Sequence, residues 1–456
     1  MGCTRNHSRI WVEWSIVAGI VLCLLIPAES WAAFATQFSL TTGEEYNDNI
    51  FFSKSREHDF ITFFVPTLTL LYAPEGQVDP TLTANISPSY QLFARHSDLN
   101  NFDNVSANGL YTYQYSPRLN FNLSDSFQRL GSTRTSSSGG VGAGGVGLFQ
   151  TGPTSPPPVG GVATPSLSQN LNDLTQGTQA SNFVSLQGSY LYRPDISFTG
   201  GVTNGFTRFT DAGGTDAFTS IGARGIYNWR QEHNLHAGYT ISINNLRDGD
   251  NGVVHNFDLG DSYFTNYNIQ LTPTLSLAAS TGLSLNTSNS GPRVGNNTSI
   301  TITKLWETAQ VNGGLRKGLT PSLGVAGISD TTSLFTNFNW RLTEKLSTYS
   351  SVDFSYFDTD DVIFKTFQAS LGLQYLFTTW LSAALSYNFN WIDSGSGANS
   401  TDLLQKGVVK SNSVFLSITT RFDLWPNTGL ARSISSSALS PVLTTPFPTR
   451  VPQPSP

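Results

Sequence analysis

Residues Thr81-Leu82-Thr83-Ala84-Asn85-Ile86-Ser87-Pro88-Ser89-Tyr90-Gln91-Leu92 sort into two faces. Leu82, Ala84, Ile86, Pro88, Tyr90 and Leu92 make an apolar one, and the residues between them a small, polar one. A period of two belongs to a β-strand, whose successive side chains point to opposite sides. The contrast returns where Leu381, Ala383, Leu385, Tyr387, Phe389 and Trp391 alternate with Ser382, Ser386, Asn388 and Asn390. Leu275, Leu277, Ala279, Leu283 and Leu285 set against Ser276, Ser280, Ser284 and Asn286 give a third copy.

A soluble sandwich also alternates, so strand length and hairpin rhythm must decide. Strands that cross a membrane need roughly 9 to 11 residues, whereas globular strands cluster near five or six; these segments match the longer class. Tight turns read at Ser116-Pro117-Arg118, Arg193-Pro194-Asp195, Trp229 to His233, Thr272-Pro273-Thr274, Leu305 to Glu307, Thr343-Glu344-Lys345 and Phe377 to Trp380. Between them lie mostly longer polar stretches, near 48–58, 97–102, 132–180, 209–216, 247–254, 289–297, 321–330 and 394–411. Short turns alternating with long loops are the rhythm of an outer-membrane barrel. The expected fold is all-β: an antiparallel transmembrane β-barrel of about 18 strands, with short periplasmic turns and longer extracellular loops.

Aromatic residues give an independent check, because their rings gather where a barrel wall meets lipid headgroups. Trp229, Trp306, Trp340, Trp380 and Trp425 fall at or near the expected periplasmic ends, joined by Tyr113, Tyr115, Tyr190, Tyr192, Tyr227 and Tyr375; Trp391 falls at an outer end. The last strand alternates Val414, Leu416, Ile418, Phe422 and Leu424 with Ser413, Ser417, Thr419, Arg421 and Asp423, closing on Trp425. Such an aromatic-ended strand is similar to the one that barrel-assembly machinery reads, although here residues 426–456 follow it. Rich in Ser, Pro and Thr, that tail is expected to be disordered in the periplasm.

At the other end, Arg5 and Arg9 precede an apolar run from Ser15 to Ile26 and a small-residue stretch through Ala32. That order is a signal peptide, and about a dozen apolar residues are too few to span a bilayer as a helix. Residues 1–32 are therefore expected to be removed, with Ala35 the second cleavage choice, leaving a barrel over 33–425. Cys3 and Cys23 both fall in the leader, so no disulfide framework is expected. With 12% charged residues and a formal charge of -6, nothing basic enough for nucleic acid appears.

Gly43 to Phe51 reads GEEYNDNIF, followed by Asp59 and Pro66. Further on come Trp306-Glu307, RKGLTPSLGVAGISDT over Arg316 to Thr331, and LTEKLS over Leu342 to Ser347. Together these resemble the outer-membrane β-barrel porin family associated with exosortase and exopolysaccharide gene clusters. The resemblance covers most of the chain but not 132–180, and implies a porin-like barrel with no catalytic residues to carry over.

Chemistry elsewhere is sparse. Gly142, Gly144 and Gly147 have dinucleotide-motif spacing, but in a Gly/Ser/Pro run without the flanking strand and helix that a phosphate cradle requires. Asp248-Gly249-Asp250-Asn251-Gly252 and Asp358, Asp360 and Asp361 offer oxygen ligands, yet Asp, Asn and Gly are what hairpin turns need. His96-Ser97-Asp98 is too contiguous to converge as a hydrolase triad. No catalytic residue, cofactor or metal site is expected. Function is expected on the inward face, where strand parity aims Arg95, Arg224, Arg316, Arg341 and Arg421 at the lumen against Asp258, Asp353 and Asp423. An interior this wide holds water unless loops fill it. Passive passage of small polar solutes, weakly favouring anions, is one expectation; a non-catalytic role in exopolysaccharide export or envelope assembly is the alternative. The 132–180 segment is expected to be a mobile outer loop or one folded partly into the lumen. Lipid and the assembly machinery are the expected partners; the sequence sets no oligomeric state.

Overall fold

The structure, a computed structural model, describes residues 34–51, 53–72, 82–130, 179–209, 214–230, 233–245, 252–265, 275–288, 291–321, 328–358, 363–394 and 407–425. The leader, the 132–178 stretch, the Thr272 turn, Asp360 and Asp361, and the tail beyond Trp425 lie outside them.

Eighteen strands run in chain order: β1 (Phe34–Asn47), β2 (Asp59–Tyr72), β3 (Leu82–Phe93), β4 (Asn101–Ser116), β5 (Leu119–Leu130), β6 (Gln179–Arg193), β7 (Ile196–Phe209), β8 (Thr215–Arg230) and β9 (His233–Asn245). The second half holds β10 (Gly252–Thr265), β11 (Leu275–Ser288), β12 (Gly291–Leu305), β13 (Ala309–Pro321), β14 (Ile328–Arg341), β15 (Leu346–Asp358), β16 (Ile363–Thr378), β17 (Leu381–Ser394) and β18 (Gly407–Trp425). Each pairs antiparallel with its neighbour in sequence, and β1 closes the cylinder on β18, with Phe38 opposite Phe422 and Tyr46 opposite Val414. Closure matters physically, since every edge N–H and C=O finds a partner and no open sheet edge faces lipid.

Both chain ends of the described barrel, Phe34 and Trp425, lie at one end, here the terminal end. The turns at 117–118, 194–195 and 379–380 lie there too, tied to the strand that follows the hairpin by bonds such as Leu191 N–H to Arg118 O at 2.8 Å and Asn228 N–H to Asp195 O at 2.8 Å. At the opposite, loop end, one expectation is corrected. Residues 291–297, read as part of a polar loop, belong to β12 in register with β11, so only 289–290 connect the two strands. Gly291, Pro292, Gly295, Asn296 and Asn297 are turn-type residues, and Val294 is the one apolar residue of the stretch, so no alternation marked the strand.

One interruption in the wall has a clear cause. The β2–β3 ladder runs from Ile61–Phe93 to Phe64–Tyr90 and resumes at Leu68–Ile86 in the same register. That register sets Pro66 opposite Pro88. Proline has no N–H, so two facing prolines remove both bonds of a hydrogen-bonded pair. Beneath the gap, on the inner face, Ser87 Oγ donates to Thr67 Oγ1 at 2.8 Å.

Candidate functional site: the inward face

Parity along every strand separates two environments. Leu334, Leu371, Leu385, Leu416 and Ile418 face outward and are exposed, as a lipid-contacting wall requires. Thr41, Thr67, Ser87, Thr240, Ser284, Ser333, Ser355, Ser417 and Thr419 face inward, shadowed by their neighbours. Their hydroxyls pair across strands, as in Thr41 with Thr419 at 2.9 Å, Ser280 with Ser299 at 2.8 Å and Ser351 with Ser370 at 2.6 Å.

Large inward side chains are accommodated by glycines on adjacent strands. Gly238 of β9 stands in register between Arg224 of β8 and Asp258 of β10. A Cβ there would lie 2.4 Å from Asp258 Oδ1, so only glycine lets the two side chains meet across the intervening strand. They do meet, with Arg224 Nη2 2.8 Å from Asp258 Oδ2. His236 lies over Gly260 in the same way, its Nε2 3.6 Å from Asp258 Oδ2. Gly205, between Phe183 and Phe218, makes room for rings 6.1 Å apart. Gly43 lets Phe63 reach across β1 to stack on Phe415 at 4.4 Å. Tyr349 lies over Gly372, and Phe335 over Gly314. An aromatic ring laid on a cross-strand glycine packs against backbone instead of projecting from the wall.

The remaining residues singled out in the sequence are placed as follows. Arg316 points inward with its guanidinium carbon 4.6 Å from the Phe335 centroid, and Asp353, two strands away, acts on it electrostatically. Ser355 Oγ donates to Asp353 Oδ1 at 2.9 Å. Arg421 points inward with Asp423 acting on it, while Gln37 Nε2 donates to Asp423 Oδ1 at 3.0 Å. Arg341 ends β14 on the inward parity, at the terminal end. Arg95 lies beyond β3, exposed, with its N–H on the Asp59 carboxylate and its guanidinium on the His58 ring. Trp229, Trp306, Trp340 and Trp380 are exposed at the terminal end with Tyr113, Tyr190, Tyr227 and Tyr375. Trp425 ends β18 opposite Thr36, its side chain outside the described residues.

The loop-end mouth holds an arrangement that sequence reading missed. Between β1 and β2 the chain folds inward, so that buried Ile50 packs on the inward residues Ile61 and Phe93, joined by Phe51 and Leu99. Asn49 Nδ2 donates to Ser53 O at 2.7 Å and to Lys410 O at 2.8 Å, fixing this strap to β18. His96 pins it: Nδ1 is 2.8 Å from Asp59 Oδ2, Nε2 is 3.0 Å from Glu57 Oε2, and Phe51 meets the ring edge-on at 5.5 Å. The Asp59 hydrogen bond, reinforced by Glu57, raises the His96 imidazole above its ordinary range. The GEEYNDNIF stretch is thus the end of β1 and the start of the strap. Its Asn-Asp-Asn pattern was the available signal, since short polar side chains bond locally where backbone turns. Among the described residues, no group of three or more His, Cys, Asp or Glu is arranged to hold a metal.

A closed antiparallel cylinder, apolar outside, polar inside and aromatic at one rim, defines an outer-membrane-type transmembrane β-barrel. No family model and no curated protein matches the chain. Among solved structures it is similar to Pseudomonas aeruginosa OccK2 (OpdF) in complex with glucuronate, with a TM-score of 0.45 and 8% identity over 86% of this chain and 98% of that one. It is also similar to P. aeruginosa OpdK with vanillate (TM-score 0.42, 10% identity, 86% and 99% covered). A third, Acinetobacter baumannii OccAB3, gives a TM-score of 0.42 at 10% identity over 85% and 99%.

Proposed function

We propose that this barrel is an outer-membrane channel for passive diffusion of small polar solutes. The observation that carries the reading is the inward wall itself. Many of its small side chains are hydroxyls and amides bonded to one another, and several of its large ones, Phe63, Phe183, Phe335 and Tyr349 among them, lie over cross-strand glycines. Both features hold side chains against the wall and present hydrogen-bonding groups to the interior.

Charge selectivity in this reading is weak. Arg224 and Asp258 neutralise each other, and Arg316 and Arg421 face Asp353 and Asp423. Arg341 has no acidic partner among the described residues, so residual anion preference rests on it. Purified barrel in planar bilayers should give step conductances, and in liposomes it should admit small sugars but not large oligosaccharides. Correctly folded, heat-modifiable protein that neither conducts nor admits sugar would overturn the proposal.

A further inference from the structure

Over Phe60 to Val65, β2 carries apolar residues on both faces. Phe60 and Phe64 face outward and are exposed, while Ile61, Phe63 and Val65 face inward and are buried. Ile61 meets Ile50 of the strap and Phe93 of β3, and further along β2 Phe63 and Val65 pack with Phe415 of β18. An apolar track thus descends the inner wall from the loop-end mouth, beside inward hydroxyls such as Thr41, Ser417 and Thr419.

The track ends at the break in the β2–β3 ladder. Three rows are missing there, Val65/Ser89, Pro66/Pro88 and Thr67/Ser87, and the register on either side is unchanged. One lost hydrogen-bonded pair produces that extent, because each flanking row depends on one of the same two bonds. The carbonyls of Pro66 and Pro88 are left without the donors that a ladder supplies. Where other ladders are interrupted, the interruption is a register shift. Such a shift also lies on the far side of the same strand, between Ser89 and Gln91 where β3 pairs with β4. β3 is therefore weakly bonded to both neighbours over the same few residues.

Depth places the break in lipid. At ~3.4 Å per residue and a tilt of roughly 40°, Pro66 stands about 16 Å above the Tyr72 end of its strand, inside the ~25 Å apolar band of such barrels. Phe64, Leu68 and Ile86 surround it on the outward face and are exposed. On the inner face Val65 is buried, and the Ser87 hydroxyl bonded to Thr67 at 2.8 Å holds the strands together. At this height a side-chain contact does what ladder bonds do elsewhere in the wall.

We propose that β2 and β3 part at this seam and pass long-chain apolar molecules sideways, from the mouth along Ile61, Phe63 and Val65 into the surrounding lipid. Such a molecule leaves water for apolar side chains and then for acyl chains, so burial favours each step. Passage of polar solutes and its charge selectivity do not enter the argument. Thr67→Cys/Ser87→Cys puts two thiols where the hydroxyls now meet, close enough for a disulfide across the seam. The native cysteines, Cys3 and Cys23, lie outside the described barrel. Intact cells carrying the full-length protein would be mixed with phenylnaphthylamine, an apolar dye that fluoresces on reaching membrane lipid. Wild type should admit the dye faster than cells with an empty vector. The cysteine variant should match wild type when reduced, fall to the empty-vector rate when oxidised, and recover with reductant. Sugar entry into liposomes, which reads the polar channel, should not respond to the disulfide. Pro66→Ala/Pro88→Ala, which restores both ladder bonds, should slow dye entry without any disulfide. Wild-type entry no faster than that of empty-vector cells, a comparison that needs no variant, would overturn the proposal. Undiminished entry through the oxidised variant would overturn it as well, since the dye would then be using the lumen or another part of the envelope.

Discussion

Replacing Arg224 with serine tests whether the inward arginines act as single charges or as halves of pairs. Arg224 is 9% exposed and Asp258 3%, with 2.8 Å between Nη2 and Oδ2. At an effective dielectric near 20, that separation corresponds to a gross attraction of about 6 kcal/mol, much of it offset by desolvation of the two ions. Removing one partner differs from removing both, because Asp258 is left as a buried charge with only the His236 ring, 3.6 Å away, beside it. Arg224→Ser should therefore cost about 3–5 kcal/mol, and Arg224→Ser/Asp258→Ser far less. Gly238→Ala should separate the pair without deleting either charge, its methyl falling 2.4 Å from Asp258 Oδ1, at about 1–3 kcal/mol for overpacking. Urea unfolding of vesicle-reconstituted barrel, read by the shift between folded and unfolded bands on a gel, gives the stabilities, and the double-mutant cycle isolates the coupling. The same proteins in planar bilayers should show the reversal potential of Arg224→Ser displaced toward cations, since an acid has been unmasked. Equal stability of Arg224→Ser and the double variant, together with an unmoved reversal potential, would refute the pairing argument.

Arg341→Ser should reduce whatever anion preference the wild type shows, read as the reversal potential under a salt gradient; an unchanged value would remove Arg341 from the account. Pro66→Ala/Pro88→Ala should restore two ladder bonds and raise the urea midpoint by about 1–3 kcal/mol equivalent, at 0.5–1.5 kcal/mol per bond, and no gain would show the gap to have another cause. The strap should loosen as pH rises: His96 is raised in the folded state, so its contribution is complete below the ordinary histidine pKa of about 6.5 and is lost as pH climbs through the raised value. Amide exchange at Asn49, Ile50 and Ser53, corrected for intrinsic rate, should accelerate across that window in wild type. In His96→Gln it should be fast throughout, and pH-independent protection in wild type would dissociate His96 from the strap.

What the sequence makes legible here follows from how short-ranged each signal is. Alternation is local, so the faces of β3, β11, β17 and β18 and the parity of Arg224, Asp258, Arg316 and Asp353 can be read without any partner strand. Turn chemistry is local too, and Pro117, Pro194 and Thr343 mark their hairpins. Strand ends are less secure, because polar residues and glycine suit loop and wall alike. For that reason 291–297 reads as loop while pairing as strand, and Arg95 reads as wall while lying beyond β3.

Pairing between side chains is a different kind of information. That Arg224 meets Asp258 depends on Gly238 occupying the one position between them, and the register that puts it there belongs to three strands at once. The same holds for Phe183, Gly205 and Phe218, and for Phe63 across Gly43 to Phe415. Counting inward charges from parity treats each arginine as though its neighbours were unknown, and so arrives at a field of one sign. Once the register is known, glycine ceases to be a gap in the pattern and becomes the element that decides which large side chains touch. On the proposed channel reading, Arg224 and Asp258 leave that count as a pair, which turns attention from the barrel's middle to Arg341 at its terminal rim.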